Sequence, residues 1–234
     1  MIKITENLNT VRQQILQSAE NSSRDAAEIC LLAVSKTRPA DDLRQAYAAG
    51  QRDFGENYLQ EGLDKIELLQ DLDICWHFIG PIQSNKTRPI SKSFDWVHSV
   101  DRLKIAQRLS AQRPENMPPL NICLQVNISG EASKSGVLPE DVVALANQIL
   151  QLPNISLRGL MAIPSPCSDP EAQRLPFRAM SALLNEIRAT NPTARLDTLS
   201  MGMTGDMTAA ISEGSTMVRI GTAIFGARDY SQKA

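Results

Sequence analysis

The sequence predicts an α/β protein, a single (β/α)₈ TIM-type barrel with an extra N-terminal helix, and three observations carry that prediction. Eight short β-type runs, at 30–35, 52–55, 76–80, 95–99, 120–127, 156–163, 198–201 and 217–220, alternate with helical stretches. Several runs are continuously apolar rather than alternating, as parallel strands covered by helices are. The length of 234 residues suits such a barrel, and the pattern fills residues 30–226, so one domain over 1–234 is expected. Periodicity does not separate a closed barrel from an open doubly wound sheet, which stays as the structural alternative.

Thr5 can cap a first helix that aligns Leu8, Val11, Ile15 and Ala19 on one face, and Asn21-Ser22-Ser23 breaks it. Leu59, Leu63 and Ile66 repeat at helical spacing. Asp101 can cap a helix that turns Leu103, Ala106 and Leu109 inward, and Pro139 can open another that buries Val142, Ala146 and Ile149.

Hydrophobic residues make up 42% and charged residues 21%, the balance of a globular chain, and with 4% aromatics the core must be aliphatic. A net charge of -2 and a pI near 5.8 give no general attraction to nucleic acid or anionic lipid. No apolar run approaches the roughly 20 residues that span a bilayer, and Lys3, Glu6 and Arg12 interrupt the first 16 residues. The expectation is a cytoplasmic protein. Cys30, Cys75 and Cys123 sit in apolar runs and read as small buried hydrophobes, while Cys167 lies in PSPCSDP. No local Cys/His spacing suggests zinc or redox chemistry, so no metal ligand is assigned.

The stretch GPIQSNKT at 80–87 nearly spells a phosphate-binding loop, but Asn85 stands where the second glycine is required. Neither a dinucleotide fingerprint nor a hydrolase elbow is present. His77 and His98 are single strand histidines, which are more often satisfied core residues than catalysts, although His77 is retained as a candidate for lining the ligand site.

Barrels carry their chemistry at the C-terminal ends of strands. Those ends present Lys36, Glu56-Asn57, Ser84-Asn85-Lys86, Ser129 and Lys134, Ser200-Met201-Gly202, and Arg219 to Thr222. Lys36 follows Leu31-Leu32-Ala33-Val34, and desolvation at such a place exposes the neutral amine that attacks an aldehyde. A strand-end lysine reaching out to solvent is the plain alternative. The small and hydroxyl residues Ser200, Gly202, Gly221 and Thr222 follow the seventh and eighth strands, where barrels commonly hold phosphate. Thr204 can cap the next helix. An amine facing a phosphate cradle suits a phosphorylated aldehyde.

The segments AVSKTRP, DFGENYLQE, WHFIGPIQSNK, GEASKSG, RGLMAIP, LSMGMTGDM and VRIGTAIFG, in this order over nearly the whole chain, resemble the pyridoxal phosphate homeostasis proteins, the family of YggS and proline-synthetase co-transcribed homologues. The resemblance implies a barrel like the N-terminal domain of alanine racemase, with pyridoxal 5′-phosphate (PLP) held as an internal aldimine on Lys36. It places Asn57 near the ring, Arg219 at the pyridine nitrogen, and Ser200, Gly221 and Thr222 at the phosphate, helped by Gly202. Two departures from the family pattern are Thr204-Gly205-Asp206, where a serine usually follows SMGM, and Pro81-Ile82, where a His-Leu pair is common.

A cation beside the pyridine nitrogen disfavours its protonation and makes the ring a poorer electron sink. The racemases add a C-terminal β-domain and a tyrosine base, whereas this chain stops soon after Gly226. Tyr47 reads as helix packing, Tyr230 lies in the tail, and Tyr58 is the one plausible substitute base. The expectation is a non-catalytic carrier in vitamin B6 homeostasis, with no catalytic residue assigned, that hands PLP to apo-enzymes as transient recipients and acts as a monomer. A small racemase or decarboxylase using Lys36 and Tyr58 is the alternative, and a cofactor-free Schiff-base barrel acting on a sugar phosphate is a third. Lys134, in a glycine-bounded loop, reads as solvated, with a transient aldehyde acceptor as the other reading.

Overall fold

A computed structural model of the chain describes residues 3–131 and 134–227. In chain order the elements are α1 (Ile4–Asn21), β1 (Cys30–Val34), α2 (Ala40–Ala48), β2 (Asp53–Glu56), α3 (Leu59–Leu68) and β3 (Cys75–Phe78). There follow α4 (Thr87–Ser93), β4 (Trp96–Val100), α5 (Leu103–Gln112), β5 (Leu120–Val126), α6 (Val142–Ile149) and β6 (Ile155–Ala162). The last turns of the barrel are α7 (Pro170–Thr190), β7 (Thr198–Ser200), α8 (Met207–Ser212), β8 (Met217–Ile220) and α9 (Thr222–Phe225).

All eight strands are parallel and pair in sequence order, and β8 closes onto β1 through Cys30–Met217 to Ala33–Ile220. The sheet is therefore a closed barrel and not the open alternative, and each predicted β-run overlaps one strand. The runs are continuously apolar because both faces are covered: in β1, Leu31, Leu32 and Ala33 are all buried. α1 closes the outer ring where the barrel seals, burying Ile4, Leu8, Val11, Ile15 and Ala19. Asn7 donates to the Ile224 carbonyl at 2.8 Å, and Arg24, in the turn after α1, donates to the carbonyls of Ile211 and Ser215 at 2.8 and 2.7 Å, tying α1 and its following turn to α9 and the end of α8.

The helix starts differ from the expected caps. Lys3 occupies the cap position of α1 and Thr5 lies inside the helix, because starting at Ile4 lets that side chain reach the core. Arg102, not Asp101, precedes α5, and Asp101 accepts a hydrogen bond from Arg102 instead. Asp206, not Thr204, stands before α8 and accepts from the Met203 amide at 2.6 Å. Pro139 opens a short 3₁₀ turn that leads into α6. Among the described residues no helix is long and apolar enough to cross a membrane.

The interior of the barrel is polar for its size. His98 of β4 meets Ser200 of β7, and the Arg158 guanidinium of β6 lies 4.8 Å over the Trp96 ring of β4; neither pair of strands is adjacent, so these contacts cross the lumen. Strands β6 and β7 approach so closely that a Cβ on Gly159 would fall 1.8 Å from the Thr198 carbonyl oxygen, at a φ of +155° that L side chains rarely adopt. Beside it the β5–β6 register shifts between Ile122 and Cys123. Gly159→Ala is expected to destabilise by about 3 kcal/mol, the upper end of the usual overpacking cost, read as a lower urea midpoint at unchanged slope.

Candidate functional site

At the C-terminal mouth of the barrel lies a cavity of about 310 Å³, a size suited to a small ligand. Its polar wall is made by Lys36, Arg38, Asn57, Thr204, Arg219, Gly221 and Thr222, and its apolar wall by Val34, Ile79, Met161, Ile163 and Met203. The outer rim is exposed at Ile163 and Met203.

The turn that presents Lys36 is held from beneath by a buried ion network. Lys65 of α3 is only 4% exposed and donates to the Ser35 carbonyl, Glu56 Oε1 and Glu61 Oε1, each at 2.7 Å. The Ser35 hydroxyl donates to Glu56 Oε1 at 2.7 Å, and the Thr37 amide donates to Glu61. Thr37 has a φ of +64°, so the chain doubles back directly after Lys36. Burial pushes the Glu56 carboxyl above its ordinary value, with Lys65 and Ser35 acting against it. Arg38 then donates to the Gly226 carbonyl at 2.5 Å, drawing the end of α9 to the rim.

Asn57 follows β2, and a Cβ on Gly80 would fall 1.9 Å from its carbonyl oxygen, so the third βα turn needs glycine to leave Asn57 in place. The Asn57 side-chain oxygen is buried on the cavity wall with no hydrogen-bond partner among the described residues. Such a group is satisfied by a polar ligand.

Arg219 of β8 is 5% exposed and forms the floor. It donates to the Ser200 carbonyl at 2.5 Å, the Ser200 hydroxyl at 2.9 Å and the Ala162 carbonyl at 2.9 Å. Burial pushes its guanidinium down to about 10, which leaves it a cation at neutral pH.

From Arg219 a hydrogen-bond chain runs down the barrel. Ser200 Oγ lies 2.8 Å from His98 Nδ1, His98 Nε2 lies 2.9 Å from His77 Nδ1, and His77 Nε2 lies 3.1 Å from Asp53 Oδ1. Arg219 can only donate and an ionised Asp53 can only accept. With one N–H on each ring the polarity is then unique: Ser200 donates to His98, His98 to His77, and His77 to Asp53. Burial, with His77 and Arg219 nearby, holds His98 far below the ordinary histidine range. Burial pushes the Asp53 carboxyl up, but hydrogen bonds and charge from His77 and hydrogen bonds from Cys75 and Cys30 outweigh it and leave Asp53 below its ordinary value.

Of the predicted binding residues, Lys36, Asn57, Arg219, Gly221 and Thr222 line one cavity. Ser200 lies beneath it, with its hydroxyl engaged by His98 and Arg219. Gly202, at φ +97°, packs against α8, where a Cβ would fall 2.6 Å from Ala210, and its carbonyl accepts from the Arg219 amide at 2.9 Å. Both therefore support Arg219 rather than face the cavity. His77 is fully buried inside the barrel and does not line the cavity. Thr204 does line it, without capping α8. Tyr58 is 55% exposed and does not line the cavity, Tyr47 packs under Arg52 at 3.7 Å, and Tyr230 lies outside the described residues. Lys134 pairs with Glu131 at 2.9 Å on the wall of a second cavity of about 280 Å³ that shares Asn57, Ile79, Met161 and Ile163 with the first. Sequence reasoning missed Lys65, which its helical spacing would put on a solvated face, and Arg38, which sits in the same segment as Lys36.

A barrel with an amine, a buried cation and a glycine-hydroxyl turn at its mouth matches the family model of the alanine racemase N-terminal domain over residues 4–229. The chain is 61% identical over 234 residues to the pyridoxal phosphate homeostasis protein of Pseudomonas aeruginosa, with 100% of both chains covered. It is 52% identical to the protein of the same name from Escherichia coli K12, again with 100% of both covered. Among solved structures, PipY of Synechococcus elongatus aligns without PLP at a TM-score of 0.85 and 40% identity, and with PLP bound at 0.82 and 39%, each covering 96% of this chain and 100% of PipY. Alanine racemase of Corynebacterium glutamicum, at 16% identity and a TM-score of 0.69, shares the fold over 96% of this chain and 61% of its own. This chain belongs to the pyridoxal phosphate homeostasis protein family.

Lys65→Met removes the cation under the Lys36 turn and leaves Glu56 buried and unpaired. A loss of about 3–5 kcal/mol is expected, measured by urea unfolding, and Glu56→Gln in the same background should recover part of it.

Proposed function

We propose that this chain binds PLP at the barrel mouth, with the Lys36 amine joined to its aldehyde as a Schiff base, and serves to store and deliver it without turnover. The observation that supports this most is that a single cavity brings the Lys36 side chain, the buried Arg219 cation and the Gly221–Thr222 turn together. The residues present fit the group. The orphaned Asn57 oxygen is a polar partner in waiting, Val34, Ile79 and Met161 are apolar surfaces for a flat ring, and Thr222 offers a hydroxyl beside the Gly221 backbone for a phosphate, with Ser200 and Gly202 steadying Arg219 from below. PLP supplies an aldehyde and an electron-withdrawing ring, and the PLP-bound PipY relative supports the same ligand here.

The residues around that cavity favour holding over turnover. Arg219, which can only donate, would stand at the ring nitrogen where a carboxylate favours protonation, so the ring would be a weak electron sink. Among the described residues, the cavity wall carries no histidine, carboxylate, thiol or tyrosine to act as a second acid or base beside Lys36. The exposed rim at Ile163 and Met203 leaves a path for release. A cytoplasmic monomer that hands PLP to apo-enzymes completes the reading.

Borohydride reduction of the PLP-loaded protein followed by peptide mapping is expected to place the label on Lys36. A label on Lys134 with Lys36 unmodified would overturn the assignment. Incubation with alanine in deuterated water is expected to show no α-proton exchange above free PLP. Exchange that is abolished in Tyr58→Phe would replace the carrier by a small racemase.

A further inference from the structure

At the opposite end of the barrel from the cavity lies a second cluster that the proposed function does not use. Asp53 and Cys75 are register partners on β2 and β3, His77 follows two residues after Cys75 on the same face of β3, and Cys30 opens β1 on the other side of β2. The ligand atoms of Asp53, Cys75 and His77 all lie within 4.8 Å of one another. His77 Nε2 is 3.1 Å from Asp53 Oδ1 and 3.3 Å from Cys75 Sγ, and burial together with the nearby Asp53 carboxylate pushes the Cys30 thiol up.

We propose that Asp53, Cys75 and His77, with Cys30 swinging in from the start of β1 as the fourth ligand, form a site for a thiophilic divalent cation of the zinc class. The donor set of two sulfurs, one imidazole and one carboxylate is the kind that selects such ions over magnesium or calcium. Bonds of about 2.0–2.3 Å at tetrahedral angles put ligand atoms about 3.4–3.8 Å apart, so the His77–Asp53 and His77–Cys75 edges need only a few tenths of an ångström of expansion, while Cys30, outside that close group, has to turn toward it. The histidine is already oriented: its other nitrogen bonds His98 at 2.9 Å and its ring stacks on Trp96 at 5.5 Å and 10°. A partner on the far nitrogen is what metal-bound histidines characteristically have. Access exists as well, since the Asp53 side chain is 32% exposed and both cysteines are half-buried. A disulfide is the weaker use of these thiols. Cys30 and Cys75 stand on strands separated by β2, two spacings or about 9–10 Å apart, beyond the roughly 7 Å that a disulfide can bridge.

Binding forms two metal–sulfur bonds, one metal–nitrogen bond and one metal–oxygen bond, and the two thiol protons leave to solvent. A cation on His77 Nε2 obliges the ring proton to sit on Nδ1. His98 then carries its own on Nδ1 and donates to Ser200 Oγ, which accepts from both His98 and Arg219 while its own hydrogen turns away from His98 to another acceptor; the two rings keep one proton each.

The test is titration of the reduced full-length protein with cobalt(II). The expected result is one equivalent bound with the visible ligand-field bands of tetrahedral cobalt and a thiolate charge-transfer band, bleached by one equivalent of zinc, with His77 shifted in imaging of its imidazole nitrogens by NMR. Cys75→Ser and Asp53→Asn should each weaken binding by more than the roughly 10- to 100-fold that loss of a supporting partner costs, while Cys167→Ser leaves it unchanged. An octahedral spectrum without thiolate charge transfer, or the same spectrum retained in the Cys30→Ser/Cys75→Ser double variant, would overturn the site. The first of these is read on the unmodified protein and does not depend on any variant folding.

Discussion

A guanidinium inside a barrel is the constraint from which most of the polar architecture follows. Arg219 is 5% exposed, and an unpaired charge at such a depth costs many kilocalories per mole. Three acceptors meet it, the carbonyls of Ser200 and Ala162 and the Ser200 hydroxyl, and none of them is an anion. Carbonyl dipoles satisfy its hydrogen bonds without neutralising its charge. A carboxylate in their place would have cancelled the cation where the cavity meets the lumen, so the floor presents positive charge to whatever occupies the mouth.

That choice propagates downward. Once the Ser200 hydroxyl accepts from Arg219 it has a proton to give, and His98 takes it. His98 must then pass its own proton to His77, and the sequence ends at Asp53, the first group that can only accept. Each member is polar because its predecessor leaves a donor that needs a partner in the buried interior. The lumen is therefore filled by a directed chain where a barrel of this size ordinarily stacks aliphatic layers.

A second buried cation does a different job. Lys65 reaches the Ser35 carbonyl and two carboxylates, so its charge is met locally by anions. Its effect is geometric, because it fixes the turn on which Lys36 is displayed. The two cations are told apart by their partners: carbonyls leave a field, carboxylates leave a brace.

The legible parts of this arrangement were those encoded by local pattern. Continuous apolar runs announced covered parallel strands, and counting to the strand ends found Lys36, Asn57, Arg219, Gly221 and Thr222. Ser200 was read as a cavity residue because strand-end position gives the height of a residue but not which way a short hydroxyl turns. Lys65 was invisible, since a lysine among Leu59, Leu63 and Ile66 reads as the wet face, and only the fold brings Glu56 beneath it. The caps at Thr5 and Asp101 failed because burial of Ile4 and pairing with Arg102 outweighed one hydrogen bond each. Cys30, Asp53, Cys75 and His77 had no recognisable spacing at all: they come from the N-terminal parts of three consecutive strands, and the parallel pairing of β1, β2 and β3 is what makes them neighbours. Closure of the barrel makes them the far end of the chain that starts at Arg219. A change of ligation at the base and a change of charge at the mouth are thus constrained by one set of protons, whose direction Asp53 and Arg219 fix between them.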